Sequence, residues 1–144
     1  MINIPVTLLE KIKHEAEVAR PNECCGLLVG NAVGENISLT RVVPSPNTKI
    51  DNDVNGHNSF EIDPKIHFDL LREVKKTGET IVGNYHSHPG KPPIPSKRDI
   101  ENAFEKNHVW LIIGVDKNGQ ANEFGAFYLD RKNAHITNLE IVEI

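Results

Sequence analysis

The stretch His86-Ser87-His88-Pro89-Gly90-Lys91-Pro92-Pro93-Ile94-Pro95-Ser96-Lys97-Arg98-Asp99 decides the reading of this chain. In an extended segment alternate side chains share a face, so His86 and His88 aim their imidazoles at one point while Ser87 turns away. The Pro-rich run reverses the chain, and Asp99 then arrives from the first turn of a following helix. Two imidazoles and a carboxylate approaching from separate directions are three ligands of a tetrahedral zinc, with the fourth position left to water. With seven His, five Ser and seven Asp in 144 residues, this spacing arises by chance on the order of once in two thousand such chains. Ser96, three residues before Asp99, also reads as a helix start of the S-x-x-D capping type, and cap and ligand can coexist.

Working upstream, Thr80 to His86 reads as a strand that delivers the histidine pair to its edge, after a helix that Gly78 ends. That helix runs from Pro64 to Lys76, capped by Asp63, with Ile66, Leu70, Leu71 and Val74 as its buried face. Phe60-Glu61-Ile62 reads as a short strand. Pro44 to Ser59 is polar and long for a structureless connection, which marks a functional lid or a mobile loop. Cys25 to Gly30 is a continuous apolar run and Ile37 to Val43 a second, joined by the turn-rich Asn31 to Asn36 into a hairpin. Val6 to Ala19 carries Leu8, Leu9, Ile12, Ala16 and Val18 mostly three and four apart, a helix started at Pro5 and stopped before Pro21. Glu23 then falls at the start of a central strand. Taken alone it reads as an exposed strand-edge charge.

Downstream, Ser96 to Lys106 is a short helix and Val109 to Val115 an apolar buried strand. Asp116-Lys117-Asn118-Gly119 turns the chain into a strand over Ala121 to Leu129. Ile136 to Ile144 reads as one more strand.

The pattern H-S-H-P-x6-S-x2-D resembles the JAMM (MPN+) metallopeptidases. That family also carries a glutamate upstream, and Pro21-Asn22-Glu23-Cys24-Cys25-Gly26-Leu27-Leu28-Val29-Gly30 is similar to the E-x-C-G-L-L-x-G stretch of its small prokaryotic members. The resemblance implies one zinc per chain held by His86, His88 and Asp99, with Glu23 as general acid/base and Ser96 helping to hold the developing oxyanion. It implies an α/β JAMM/MPN (cytidine-deaminase-like) fold over residues 1–144. In that fold a mixed curved sheet is flanked by two longer helices, with a short helix beside the zinc. It also implies a substrate class, a ubiquitin-like sulfur-carrier protein cleaved after its C-terminal Gly-Gly. Ile94 and Cys24 depart mildly from the family pattern, which bears on substrate fit more than on catalysis.

The formal charge of −4, with 16 basic residues scattered along the chain, gives no electrostatic footprint for nucleic acid. A RadC-like, nucleic-acid-associated relative shares the motif spacing, but neither its basic character nor a DNA-binding module is evident. A non-catalytic MPN scaffold would have lost ligands or the glutamate. A zinc peptidase acting on small peptides keeps the chemistry and changes the substrate. The chain has no 18-residue apolar run and no charged-then-apolar leader, so the expectation is a soluble, cytoplasmic protein with no membrane contact. Cys24 and Cys25 are adjacent, a spacing suited to neither an ordinary disulfide nor a Cys-based zinc site, and read as small packed residues. Lys97-Arg98 reads as a solvated helix face. Trp110 reads as core. His14, His67, His108 and His135 lack ligand spacing, whereas His57 lies in the loop that would flank the site.

Overall fold

The computed structural model describes residues 1–49, 59–101, 108–130 and 135–144. Its strands are β1 (Ile2–Ile4), β2 (Cys25–Val33), β3 (Asn36–Ser45), β4 (Thr80–Pro89), β5 (His108–Val115), β6 (Glu123–Asp130), β7 (His135–Leu139) and β8 (Ile141–Glu143). The helices described are α1 (Val6–Ala19), α2 (Pro64–Thr77) and α3 (Lys97–Glu101). The strands form one sheet in the order β7-β6-β5-β4-β2-β3-β1-β8. β4 pairs parallel with β5, and β1 parallel with β3 and β8. The remaining pairs are antiparallel.

The order of strands forces the curvature. β7 and β8 are the two ends of the sheet, yet only Glu140 separates them in the chain. A flat sheet with strands about 4.8 Å apart would hold its ends more than about 30 Å from each other, whereas one intervening residue spans roughly 7 Å. The sheet therefore curls until its edges nearly meet. The expectation of a single strand over Ile136 to Ile144 is corrected accordingly: the alternating pattern is continuous, but the chain leaves one edge at Leu139 and joins the other at Ile141. β1 also lay beyond the sequence reading. Three residues carry no readable period, and Ile2 and Ile4 are wholly buried because β3 and β8 flank them.

Inside the curl lies α1. Leu9, Ile12 and Ala16 pack into a core with Ile2, Ile4, Leu28, Leu39, Leu111, Ile113 and Ala126, contributed by strands from most of the sheet. Val18, expected on the apolar face, is exposed. On the other face α2 lays Leu70 and Val74 against Leu27 and Val29 of β2. Leu71 sits about 100° around the helix from Leu70 and is 44% exposed, against the expectation. β2 and β5 are covered on both faces, which is why each reads as a continuous apolar run instead of an alternating one. Gly26 is required by its neighbour across the ladder, since a Cβ there would lie 2.4 Å from the Tyr85 ring.

α2 keeps its predicted caps: the Asp63 side chain accepts from the Lys65 amide, and Gly78 closes the helix in the left-handed conformation at φ 76°. Phe60-Glu61-Ile62 is not a strand, contributing only an isolated bridge between Asn47 and Ile62. β3 runs to Ser45, so the expected loop is shorter at its start, and its residues 50–58, with His57, lie outside the described residues. The described part of the helix expected over Ser96 to Lys106 is Lys97–Glu101. Asp116 Oδ1 accepts from the amides of Asn118 and Gln120, forming the turn that leads into β6 at Glu123, two residues later than expected.

Candidate functional site

Three elements bring four side chains together where β4 nears its end. Within β4 the period of two sends Asn84, His86 and His88 to the face covered by α2, and Tyr85 and Ser87 to the face covered by α1. Glu23 reaches the same point from the residues just before β2. Asp99 comes from α3. Glu23, His86, His88 and Asp99 are all buried, and one ligand atom from each lies within 4.8 Å of the others. The bland reading of Glu23 as an exposed edge charge fails, because the residue is 2% exposed.

α3 holds its aspartate by reciprocal capping. The Asp99 amide donates to Ser96 Oγ at 3.0 Å and the Ser96 amide donates to Asp99 Oδ2 at 2.8 Å. Ser96 thus acts as the cap the sequence allowed. The same Asp99 oxygen stands 3.1 Å from Nε2 of both His86 and His88. The two histidine nitrogens are 3.1 Å apart in turn.

This triangle suits a cation better than hydrogen bonds. Nδ1 of His88 faces the Pro92 carbonyl at 2.9 Å; a carbonyl only accepts, so Nδ1 carries a proton, and whenever the ring is neutral its Nε2 presents a lone pair to Asp99. Two lone-pair atoms at 3.1 Å repel unless positive charge lies between them. A tetrahedral ion with ligands at about 2.0–2.1 Å sets those atoms roughly 3.3–3.4 Å apart, within a few tenths of an ångström of the triangle's edges. The donor set and its spacing therefore fit a metal ion.

Burial works against the charged form of His88, but the hydrogen bond with Asp99 and the Pro92 carbonyl outweigh it, and its pKa is raised. For His86 burial dominates and the pKa is lowered. Burial would raise Asp99, yet the two imidazoles hold its carboxyl well below the usual carboxylate range. Glu23 is pushed up to about 8, chiefly by burial, with His88 pulling down and Asp99 pushing further up. Glu23 Oε1 and His86 Nδ1 are buried without a hydrogen-bond partner among the described residues.

Further residues shape the site that sequence reasoning passed over. Phe60 stacks on His86, ring centroids 4.3 Å apart, and covers it from solvent. A cavity of about 340 Å³ continues from Asp99 along the sheet. Leu27, Asn84 and Trp110, opposite one another on three neighbouring strands, line it. Trp110 is 4% exposed, as expected of a core residue, while forming one wall of this space. His67 lines it too and is not one of the four clustered residues. No sequence period marks Phe60 or Asn84; their importance comes from what the sheet sets beside them. Cys24 and Cys25 are buried free thiols, the first pushed up to about 12 by burial. No helix among the described residues is long and apolar enough to cross a membrane.

Comparison with known proteins places this arrangement. The family model described as prokaryotic homologs of the JAB domain matches residues 5–129. A desampylase of Haloferax volcanii is 30% identical over 118 residues, covering 82% of this chain and 81% of its own. A probable TtuB-protein conjugate cleaving protease of Thermus thermophilus is 32% identical over 117 residues, covering 81% and 72%. The solution structure of a protein from Desulfitobacterium hafniense matches with a TM-score of 0.84 at 29% identity, covering 100% of this chain and 93% of that one. A curled sheet around α1 and a buried His/His/Asp/Glu cluster are what such a family would share, and the chain belongs to the prokaryotic homologs of the JAB domain as a JAMM metallopeptidase.

Proposed function

We propose that this protein is a zinc peptidase that hydrolyses the peptide or isopeptide bond after the C-terminal Gly-Gly of a ubiquitin-like sulfur-carrier protein. The observation that carries the chemistry is the triangle of His86 Nε2, His88 Nε2 and Asp99 Oδ2 at 3.1 Å, with Glu23 beside it. His86, His88 and Asp99 would hold one zinc. When bound, zinc would supply Lewis-acid polarisation and a water acidified to near neutral pH.

Glu23 is the proton carrier in this reading. Its buried carboxylate takes a proton from the attacking water and passes it to the leaving amine, so that the amine departs neutral. A carboxyl that burial pushes up to about 8 holds a proton more readily than an exposed one, which suits a group that must both accept and return it. Ser96 Oγ accepts from the Asp99 amide. A hydroxyl also has one proton to donate, so the cap can still stabilise an oxyanion.

The substrate class rests on kinship and on chemistry. The Thermus relative is named for cleaving TtuB-protein conjugates and the Haloferax relative as a desampylase. A Gly-Gly tail has no side chains to obstruct approach to a recessed site, and its backbone can lie extended beside a strand. The scattered basic residues disfavour nucleic acid, and two buried free thiols fit a reducing compartment such as the cytoplasm.

The test is mass spectrometry on ubiquitin-like carriers of the same genome, extended by one residue beyond Gly-Gly and incubated with wild type and Glu23→Gln. Cleavage after Gly-Gly by the wild type, with turnover reduced about a hundredfold or more in the zinc-loaded variant, is the expected result. Equal cutting of unrelated unstructured peptides, or no cutting of any carrier, would defeat the substrate assignment. Loss of zinc from the variant would make Glu23 a ligand or a support instead.

A further inference from the structure

One peptide group beside the cluster is held at both ends by side chains. The carbonyl oxygen of Glu23 accepts from Asn47 Nδ2 at 3.0 Å. The amide of Cys24, the other end of the same planar unit, donates to Ser87 Oγ at 2.8 Å. Ser87 adds a second grip, its own amide donating to the Cys24 carbonyl at 3.1 Å. Asn47 is 7% exposed and Ser87 is wholly buried.

These bonds stand where the sheet provides no others. The ladder between β2 and β4 begins at Cys25 opposite His86. Glu23 lies just outside it. A buried peptide group without partners is costly, so both side chains are needed here. Asn47 is itself fully engaged. Its second amide proton goes to the Ser59 carbonyl at 3.1 Å, and its Oδ1 accepts from the amides of Lys49 and Glu61, both at 3.1 Å. The Glu23 carboxylate, by contrast, has one oxygen with no partner among the described residues. With that oxygen unheld, the anchoring of the backbone bears on where the carboxylate points.

We propose that Asn47 and Ser87 are positioning residues that clamp the Glu23–Cys24 peptide plane and so aim the Glu23 carboxylate at the cluster. This rests on the proton-carrying role proposed for Glu23. The clamp links the two segments that the active site must hold in register: Ser87 belongs to the strand between the two histidines, and Asn47 to the chain between β3 and residues 50–58. A tilt of that plane is carried out along the glutamate side chain, and a displacement of about 1 Å at a reacting group can cost on the order of a hundredfold in rate.

The variants are Ser87→Ala, which removes the acceptor, Ser87→Thr, which keeps it, and Asn47→Asp, which keeps both acceptor bonds but cannot donate to the Glu23 carbonyl. Each is loaded with zinc, checked for one ion per chain and for its melting temperature, and assayed on a Gly-Gly-extended carrier. Ser87→Ala and Asn47→Asp should lower kcat by roughly ten- to a hundredfold with KM and zinc unchanged, and Ser87→Thr should restore most of it. In a Glu23→Gln background Ser87→Ala should have no further effect, because nothing is left to aim. A readout that needs no substrate is the crystal structure of the zinc-loaded Ser87→Ala and Asn47→Asp proteins, in which the Glu23 carboxylate should be displaced or spread over several positions. Wild-type kcat in both folded variants, an unmoved carboxylate, or a loss that persists undiminished in the Glu23→Gln background would each overturn the clamp. Glu23→Gln with wild-type turnover would instead overturn the role of Glu23 itself, and the clamp with it.

Discussion

β4 carries buried polar residues on both faces, and the two faces treat them differently. Toward α1, Tyr85 donates its hydroxyl proton to Glu15 at 2.8 Å and Ser87 accepts from the Cys24 amide at the same distance. Toward α2, Asn84 Oδ1 and His86 Nδ1 have no partner among the described residues, and three ligand atoms crowd within 3.1 Å. Tyr85 and His86 are equally inaccessible, each 0% exposed. Burial alone thus does not mark chemistry in this protein. What separates the faces is satisfaction: one uses its polar groups to hold strands and helix together, and the other stores unspent lone pairs that call for a cation.

The sharpest way to break this contrast is to remove the lone pairs. His86→Ala with His88→Ala should abolish zinc binding and turnover together, measured by elemental analysis and a carrier cleavage assay. Full zinc retention by the double variant would remove the basis for the distinction. The fold should survive, since both histidines point to the face opposite the core around α1.

Ser96→Ala tests a residue that belongs to both categories. It should keep zinc and lose roughly a hundred- to a thousandfold in kcat if the hydroxyl stabilises an oxyanion. Loss of the cap should also cost about 1 kcal/mol, read from denaturant midpoints. Reduced stability with kcat unchanged would confine Ser96 to its bonds with Asp99.

The next test uses pH on the metal-free protein. Glu23 is raised from an ordinary 4.5 to about 8, so the folded state holds that proton more tightly than the unfolded chain. Its contribution is fully present below the unfolded value and is lost as pH rises through the folded one. The melting temperature of metal-free Glu23→Gln, which cannot ionise there, should therefore gain on that of the wild type from about pH 4.5 to about pH 8, by several degrees in all, and then level off. A difference independent of pH across that window would show that the carboxylate is not dehydrated as the structure has it.

The smallest effect belongs to Tyr85, whose hydrogen bond on the satisfied face ties strand to helix. Tyr85→Phe removes the donor to Glu15 and should cost on the order of 1 kcal/mol in stability while leaving zinc content and kcat unchanged. A large loss of kcat with stability intact would mean that Tyr85, like Ser87, bears on the site from this face.

Legibility in the sequence followed the range of the forces involved. α1 and α2 were readable to within a residue or so because their signals are local: apolar side chains three and four apart, Asp63 before Pro64, and Gly78 after the last turn. The buried run of β5 was readable for the same reason. β8 was not, because nothing in Ile141-Val142-Glu143 distinguishes continuing one edge strand from starting another at the far end of the sheet. Asn47 was read only as part of a polar loop. Its four hydrogen bonds go to Glu23, Lys49, Ser59 and Glu61, partners that a linear scan cannot assemble.

The sequence by itself determined the donor set. Two histidines at alternate positions of a strand and an aspartate in the first turn of a capped helix follow from backbone periods of two and 3.6, which are fixed before any tertiary contact forms. That Glu23 should meet them was legible only through the family resemblance, and physically it is the tertiary structure that decides it. Cys24 and Ser87, which tie its segment to β4, are 63 positions apart in the chain, and no local rule fixes a register over that distance. That register is fixed by the antiparallel ladder of Cys25 against His86 and, beyond the ladder's end, by hydrogen bonds a dehydrated peptide group cannot go without.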